Sequence, residues 1–137
     1  MEKKDIVKKM LEMQYGSGVD TNFVTQYSNE NFQWIVGIVN EELHKAIPWA
    51  GVVQNGMEGY YNLVGQLFGE FEVLQFLPKD FHETETKVFV EGYFKFQHKV
   101  TKKIAETDYI MRFDFDNGKI SGGQMYENTY GVAEARK

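Results

Sequence analysis

Residues 104–129 have the sequence IAETDYIMRFDFDNGKISGGQMYENT, and this stretch decides the fold. Apolar and polar side chains alternate along its first half, which is typical of a strand with one face in a core and the other in solvent. The apolar face holds Tyr109, Met111, Phe113 and Phe115, and the polar face holds Ile110, Arg112, Asp114 and Asp116. Asn117-Gly118 follows and favours a type I′ hairpin turn. The stretch therefore predicts two antiparallel strands, Ile104–Phe115 and Ile120–Thr129, with the apolar face inward.

The residues upstream predict two more strands and, before them, helices. Aromatic density and alternation predict strands over Phe71–Leu77 and Val88–His98. Apolar residues at helical spacing predict helices over Lys4–Tyr15, from a cap at Asp20 or Thr21 to Tyr27, and from Met57 to Phe68. A helical turn is predicted over Asn40–Ala46. A further strand is predicted over Phe32–Val39, with Phe32, Trp34, Val36 and Ile38 on one face. Helices followed by strands predict an α+β fold, with three N-terminal helices packed on one face of an antiparallel sheet.

Length and composition narrow the class of protein. The chain has 137 residues, so we expect a single domain over residues 1–137. It has no cysteine, which excludes thiol nucleophiles, disulfides and thiolate metal sites. The net charge of −5 and the lack of a basic stretch argue against nucleic-acid binding. The longest apolar run, Ile35–Val39, is far shorter than a bilayer needs, and no signal-peptide apolar segment is present, so we expect a soluble, cytoplasmic protein without membrane contacts.

Four stretches from Ile47 onward carry a resemblance to a known family. They are Pro48-Trp49-Ala50-Gly51 with Gly56, Phe76–Phe81 with Val88–Gly92, Thr101–Lys103 with Glu106–Tyr109, and Asp116–Ile120 with Tyr126–Thr129. Their order and spacing resemble the SnoaL-like family, the polyketide-cyclase and ketosteroid-isomerase relatives with the nuclear-transport-factor-2-like fold. The resemblance implies a cystatin-like, cone-shaped α+β barrel, in which a strongly curved antiparallel sheet wraps round three helices. It also implies a pocket between sheet and helices and a homodimer through the outer face of the sheet.

The departures from the family pattern argue against carrying over a mechanism. Relatives with the Glu-Thr-Asp-aromatic segment commonly have a histidine where this chain has Met111, and a thioether cannot move a proton. Many relatives end the last strand with an aspartate where this chain has Asn128. The position that matches the catalytic aspartate of steroid isomerases falls near Ile35. Because the fold hosts isomerases, cyclases, hydrolases and binding proteins, the resemblance implies no single reaction.

Three residues are candidates for acid–base chemistry. Alternation from Tyr126 puts Glu127 on one face of the last strand with Met125, and the resemblance makes this the pocket face. An apolar pocket would raise the pKa of Glu127 and suit it to move a proton, whereas a solvated rim would leave it an ordinary surface carboxylate. Tyr109 or His98 would polarise a carbonyl oxygen. For His98 the alternative is a capping role at a hairpin, and Asn128 falls on the opposite face, at a dimer contact or a turn.

The aromatic content predicts a hydrophobic pocket. Of the 137 residues, 11 are Phe, 8 are Tyr and 2 are Trp, a larger supply than a core of this size needs. The predicted lining consists of Trp34, Trp49, Tyr61, Phe94, Met111, Phe113 and Met125, with core packing as the alternative for each. His44, His82 and His98 lie on different predicted elements without ligand spacing, so we expect neither a metal nor another cofactor.

Two functions remain open from the sequence. The first is a small-hydrophobic-molecule-binding SnoaL-like protein acting as an isomerase or cyclase, with proton transfer next to a carbonyl. The second is a non-catalytic ligand-binding or dimerisation module of the same fold. The missing histidine and aspartate favour the second, and a buried carboxylate in a closed pocket would favour the first.

Overall fold

The computed structural model describes the backbone of residues 1–137 and every side chain except that of Ser17. The helices are α1 (Lys3–Glu12), α2 (Thr21–Tyr27), α3 (Glu41–Ala46), α4 (Gly56–Glu70) and α5 (Thr129–Ala135), with a π-helical turn over Met13–Ser17. The strands are β1 (Ser28–Val36), β2 (Gln54–Asn55), β3 (Phe71–Glu83), β4 (Lys87–His98), β5 (Ile104–Asp116) and β6 (Lys119–Tyr126). The α+β fold class predicted from the sequence is confirmed.

The strands form one curved sheet that does not close, in the order β2-β1-β6-β5-β4-β3. Strands β3 to β6 pair antiparallel, as predicted. The sheet is nevertheless mixed, because β1 pairs parallel with β6, with Trp34 opposite Gly123. A Cβ at Gly123 would overlap the Trp34 ring and the Arg112 carbonyl oxygen, so this close approach of strands requires glycine.

The β5–β6 hairpin follows the prediction from residues 104–129. Asn117 and Gly118 have φ of 50° and 76°, and two successive positive φ angles are the mark of a type I′ turn. Tyr109, Met111 and Phe113 are no more than 2% exposed, so the apolar face of β5 points inward as predicted.

The inner face of the sheet is covered by α1 and α4. Helix α1 buries Ile6, Val7, Met10 and Leu11, and α4 buries Tyr60, Leu63, Val64 and Leu67. Each set follows the i, i+3, i+4 spacing that puts side chains on one helical stripe. The space enclosed between this helical layer and strands β4 to β6 holds the candidate site.

Two predicted strands end earlier than expected. Strand β1 begins at Ser28 and stops at Val36, because Gly37 takes a positive φ of 75° that breaks the extended backbone. Ile38, predicted to share the buried face, is consequently 60% exposed. The last strand stops at Tyr126, where extension to Thr129 was predicted. Asn128 instead caps α5, since its side chain accepts a hydrogen bond from the Gly131 amide.

Candidate functional site

A small cavity lies inside the cone between the helical layer and the sheet. Its volume is about 30 Å³, enough for about one water molecule. Most of its lining is aromatic or aliphatic, and Glu127 supplies its only carboxylate among the described residues. The lining residues are Gln14, Tyr15, Trp34, Val36, Trp49, Tyr60, Leu63, Leu67, Phe94, Phe96, Met111, Met125, Glu127 and Val132.

Five of the seven predicted pocket residues line this cavity. They are Trp34, Trp49, Phe94, Met111 and Met125. The other two lie beside it. The ring of Phe113 is buried behind that of Trp34, with 5.0 Å between ring centroids, and Tyr61 packs on the outer side of Tyr60 at 5.7 Å. Both therefore support the wall without reaching the void.

Glu127 sits between the cavity and the outside of the protein. It follows the last residue of β6, and its side chain is half-buried. On one side it lines the interior cavity, and on the other it lines an outer groove that also contains Asp80, Glu91 and Asp108. Burial raises the pKa of the Glu127 carboxyl to about 7. A carboxyl with this pKa is present in both protonation states near neutral pH, which suits a group that accepts and returns a proton.

Tyrosine hydroxyls surround the same space. The Tyr60 hydroxyl donates a hydrogen bond to Gln14 Oε1, and the Gln14 side chain also hydrogen-bonds Tyr15. Burial raises the pKa of Tyr15 well above its ordinary value, and interactions with Tyr60, Tyr109 and Glu127 raise it further. Tyr60, Tyr109 and Glu127 are therefore close enough to Tyr15 to interact with it electrostatically. The hydroxyls stay protonated at neutral pH and remain available as hydrogen-bond donors.

Tyr109 has an unsatisfied hydroxyl. It is 2% exposed, and its oxygen has no hydrogen-bond partner among the residues that the structure describes. The ring lies across Gly92, where a Cβ would overlap it, and stacks on Phe76 with centroids 5.3 Å apart. Leaving a buried donor unpaired costs about 1–3 kcal/mol, so a ligand oxygen that accepts a hydrogen bond from Tyr109 would remove this cost.

His98 lies away from the cavity, at the β4–β5 hairpin. Its Nδ1 accepts hydrogen bonds from the backbone amides of Val100 and Thr101, each at 3.2 Å. Its Nε2 is 3.8 Å from a carboxylate oxygen of Glu70. The same carboxylate binds the Arg136 guanidinium at 2.7 and 2.8 Å, which ties the end of α5 to α4. The contacts of His98 are thus those of a hairpin cap, the alternative that the sequence left open.

Several lining residues were not singled out from the sequence. Tyr15 and Tyr60 belong to apolar helical stripes, and such a stripe does not reveal which of its members border a void. Val132 was missed because α5 itself was not predicted. Asn128 was the available signal, since asparagine is a favoured N-cap.

No protein-family model and no curated protein sequence matches this chain. Solved structures do match, and a nuclear-transport-factor-2-like protein from Burkholderia xenovorans superposes with a TM-score of 0.78, at 20% identity over 97% of this chain and 94% of that one. The chain has the nuclear-transport-factor-2-like fold.

The names of two further matching structures mention an enzyme activity or a bound molecule. A proposed SnoaL-like polyketide cyclase from Mesorhizobium loti has a TM-score of 0.68 at 16% identity, covering 92% of this chain and 99% of that one. A protein with a ketosteroid-isomerase-like fold from Catenulispora acidiphila, in complex with trimethylamine, has a TM-score of 0.66 at 14% identity, covering 89% and 84%. Identities this low establish the shared fold alone.

Neither a metal centre nor a membrane span is found in the described part of the chain. No group of three or more His, Asp or Glu side chains there is arranged to hold a metal ion. None of the helices there is both long and apolar enough to cross a bilayer.

Proposed function

We propose that this protein binds a small, largely apolar carbonyl compound inside the cone and transfers a proton next to the carbonyl group, as an isomerase or cyclase. The proposal rests on Glu127, whose carboxyl group has a pKa of about 7 and lines a cavity otherwise formed mainly by aromatic and aliphatic side chains. General acid–base groups work best when their pKa lies near the working pH.

The chemistry follows from the groups present. Ionised Glu127 takes a proton from the carbon next to the carbonyl, so a C–H bond breaks and the electron pair moves into an enolate. Protonated Glu127 then returns the proton to carbon, at the same position or at one conjugated with it. A tyrosine hydroxyl that donates to the enolate oxygen stabilises the developing charge. Tyr109 is one candidate, because its hydroxyl has no partner among the described residues and it lines the outer groove together with Glu127. Tyr15, which lines the cavity together with Glu127, is the other.

Proton exchange tests this proposal. Incubating the protein with linear methyl ketones in heavy water should replace α-protons by deuterium, measured by NMR. Glu127→Gln keeps the shape but removes the proton-accepting group, so the exchange rate should fall about 100-fold or more. Glu85 is exposed, and Glu85→Gln provides the matched control, which should exchange at the wild-type rate. Equal rates in the Glu127→Gln variant and the wild type would contradict the assignment.

The second candidate is a non-catalytic ligand-binding or dimerisation module, and Met111 favours it. The Met111 side chain lines the cavity where related proteins commonly have a proton-transferring histidine. Under this alternative, ketones bind without α-proton exchange. The same exchange measurement, paired with a binding measurement, therefore separates the two candidates.

We also propose a homodimer through the outer face of the sheet, in a cytoplasmic protein. Ile110 and Tyr126 on that face are 43% and 45% exposed, although both are large and partly apolar. The neighbouring Arg112 and Asp114 pair within the chain, because the Arg112 guanidinium donates to both Asp114 oxygens at 3.0 and 3.2 Å. These two charges therefore need no partner across a two-fold interface, in which the same surface meets its own copy.

A further inference from the structure

A second, larger depression lies at the β3 edge of the sheet. It runs between α1, the π-helical turn and β3, with a volume of about 640 Å³. Its walls are Lys8, Leu11, Glu12, Tyr15, Gly16, Phe76, Pro78 and Phe81. The Lys8 ammonium lies 5.1 Å from the centroid of the Phe81 ring. We refer to this depression as the α1–β3 groove, and its floor is apolar and aromatic.

Tyr15 separates the groove from the interior cavity. It is the one described residue that lines both spaces. Its ring stacks on that of Phe76, with 3.6 Å between centroids and 9° between planes, and meets the Phe68 ring edge-on at 5.5 Å. The backbone there is a π-helical turn, a rare conformation that is frequent at functional sites. The Tyr15 side chain therefore lies at the boundary between the two spaces.

The cavity and the groove differ in volume and in the groups that line them. The interior cavity, at about 30 Å³, holds the proton-transfer group but has room for about one water. Pockets for small organic ligands run from ~300 to 1,000 Å³, and the groove, at about 640 Å³, falls in that range. The cavity therefore has Glu127 without room for a ligand, and the groove has room for a ligand without Glu127. Tyr15 lines both.

We propose that the groove and the cavity are two halves of one ligand site and that Tyr15 is the gate between them. This inference rests on the proposed function, since it takes Glu127 as the inner end of the site. It specifies the ligand as an elongated molecule with a single carbonyl group at one end. The carbonyl end enters the cavity beside Glu127, and an alkyl or aryl tail lies in the groove on Phe76 and Phe81.

The placement of polar groups fixes this orientation. Gln14, Tyr60 and Glu127 line the inner cavity, so a carbonyl oxygen that enters it has polar side chains beside it. The groove floor offers rings and Pro78, on which apolar tail surface is removed from water. A ligand in the opposite orientation would leave its apolar tail against the Glu127 carboxyl group.

Stopped-flow fluorescence with linear methyl ketones from butanone to decan-2-one tests the gate. Trp34 and Trp49 line the cavity and report arrival of the ligand there. Affinity should rise with chain length, because longer tails cover more of the groove. Tyr15→Ala removes the partition and should raise the association rate constant of decan-2-one about tenfold, whereas Tyr15→Trp should lower it by a similar factor. Tyr27→Ala, at a half-buried tyrosine that contacts Phe23 away from both spaces, is the matched control.

The outcomes distinguish the gate from the proposed function. Phe76→Leu keeps Tyr15 but removes its stacking partner, so it should also speed association, and circular dichroism checks that each variant is folded. If decan-2-one binds and the Tyr15 and Phe76 variants associate at the wild-type rate, the gate is wrong and the proposed function stands. If affinity does not depend on chain length, the groove is not part of the site. If no ketone binds the wild-type protein, both proposals fail.

Discussion

Glu127 makes the stability of the protein depend on pH in a defined direction. Its pKa is about 7 in the folded chain, against an ordinary value of 4.5. Between these values the unfolded chain has released the proton and the folded chain still holds it, so the free energy of unfolding falls as pH rises. Glu127→Gln removes this loss. Relative to wild type, the variant should gain on the order of 3 kcal/mol between pH 4 and pH 8, measured by urea unfolding.

The control for this effect is Glu85→Gln, which removes an exposed carboxylate. Its stability relative to wild type should stay nearly constant over the same pH range. A Glu127→Gln difference that is equally constant would mean that the Glu127 carboxyl is solvated in the folded protein.

Secondary-structure elements were predicted best where the alternation of apolar and polar residues was followed by a strong turn signal. Strand β5 and the Asn117-Gly118 turn satisfy this condition, and both are found within a residue of their predicted ends. Strand β1 lacked such agreement, because its apolar residues continue past Gly37 to Ile38 and Val39. The chain nevertheless turns at Gly37, whose positive φ is invisible in a hydrophobicity pattern.

The candidate site was predictable to the extent that it lies on strands. The period of two put Met125 and Glu127 on one face, and both line the cavity. Most of the unpredicted lining residues lie on helices or the π-helical turn, and Val36 and Phe96 lie on strands. Whether Tyr15 and Tyr60 border a void depends on how α1 and α4 lie across the sheet, which is a tertiary property that no local pattern encodes.

The whole molecule should pair with a second copy through the outer face of its sheet. Ile110 and Tyr126 would lie inside such an interface, where a buried, unpaired charge is strongly unfavourable. Light scattering should therefore give twice the mass of the chain for wild type and the mass of one chain for Ile110→Lys. Val100→Lys, at an apolar side chain that is 84% exposed on the β4–β5 hairpin, is the control and should remain dimeric. A wild-type protein with the mass of one chain at micromolar concentration would rule out the dimer.

The proposed function requires a carboxyl group inside the cone with a pKa near 7. The most direct test is a ¹³C NMR titration of the full chain with labelled glutamate carboxyls, in which the Glu127 signal is assigned by its absence from Glu127→Gln. We expect the Glu127 signal to titrate with a midpoint of about 7. A Glu127 midpoint between about 4 and 5 would contradict the account, because an ordinary carboxylate is too weak a base for the proposed proton transfer.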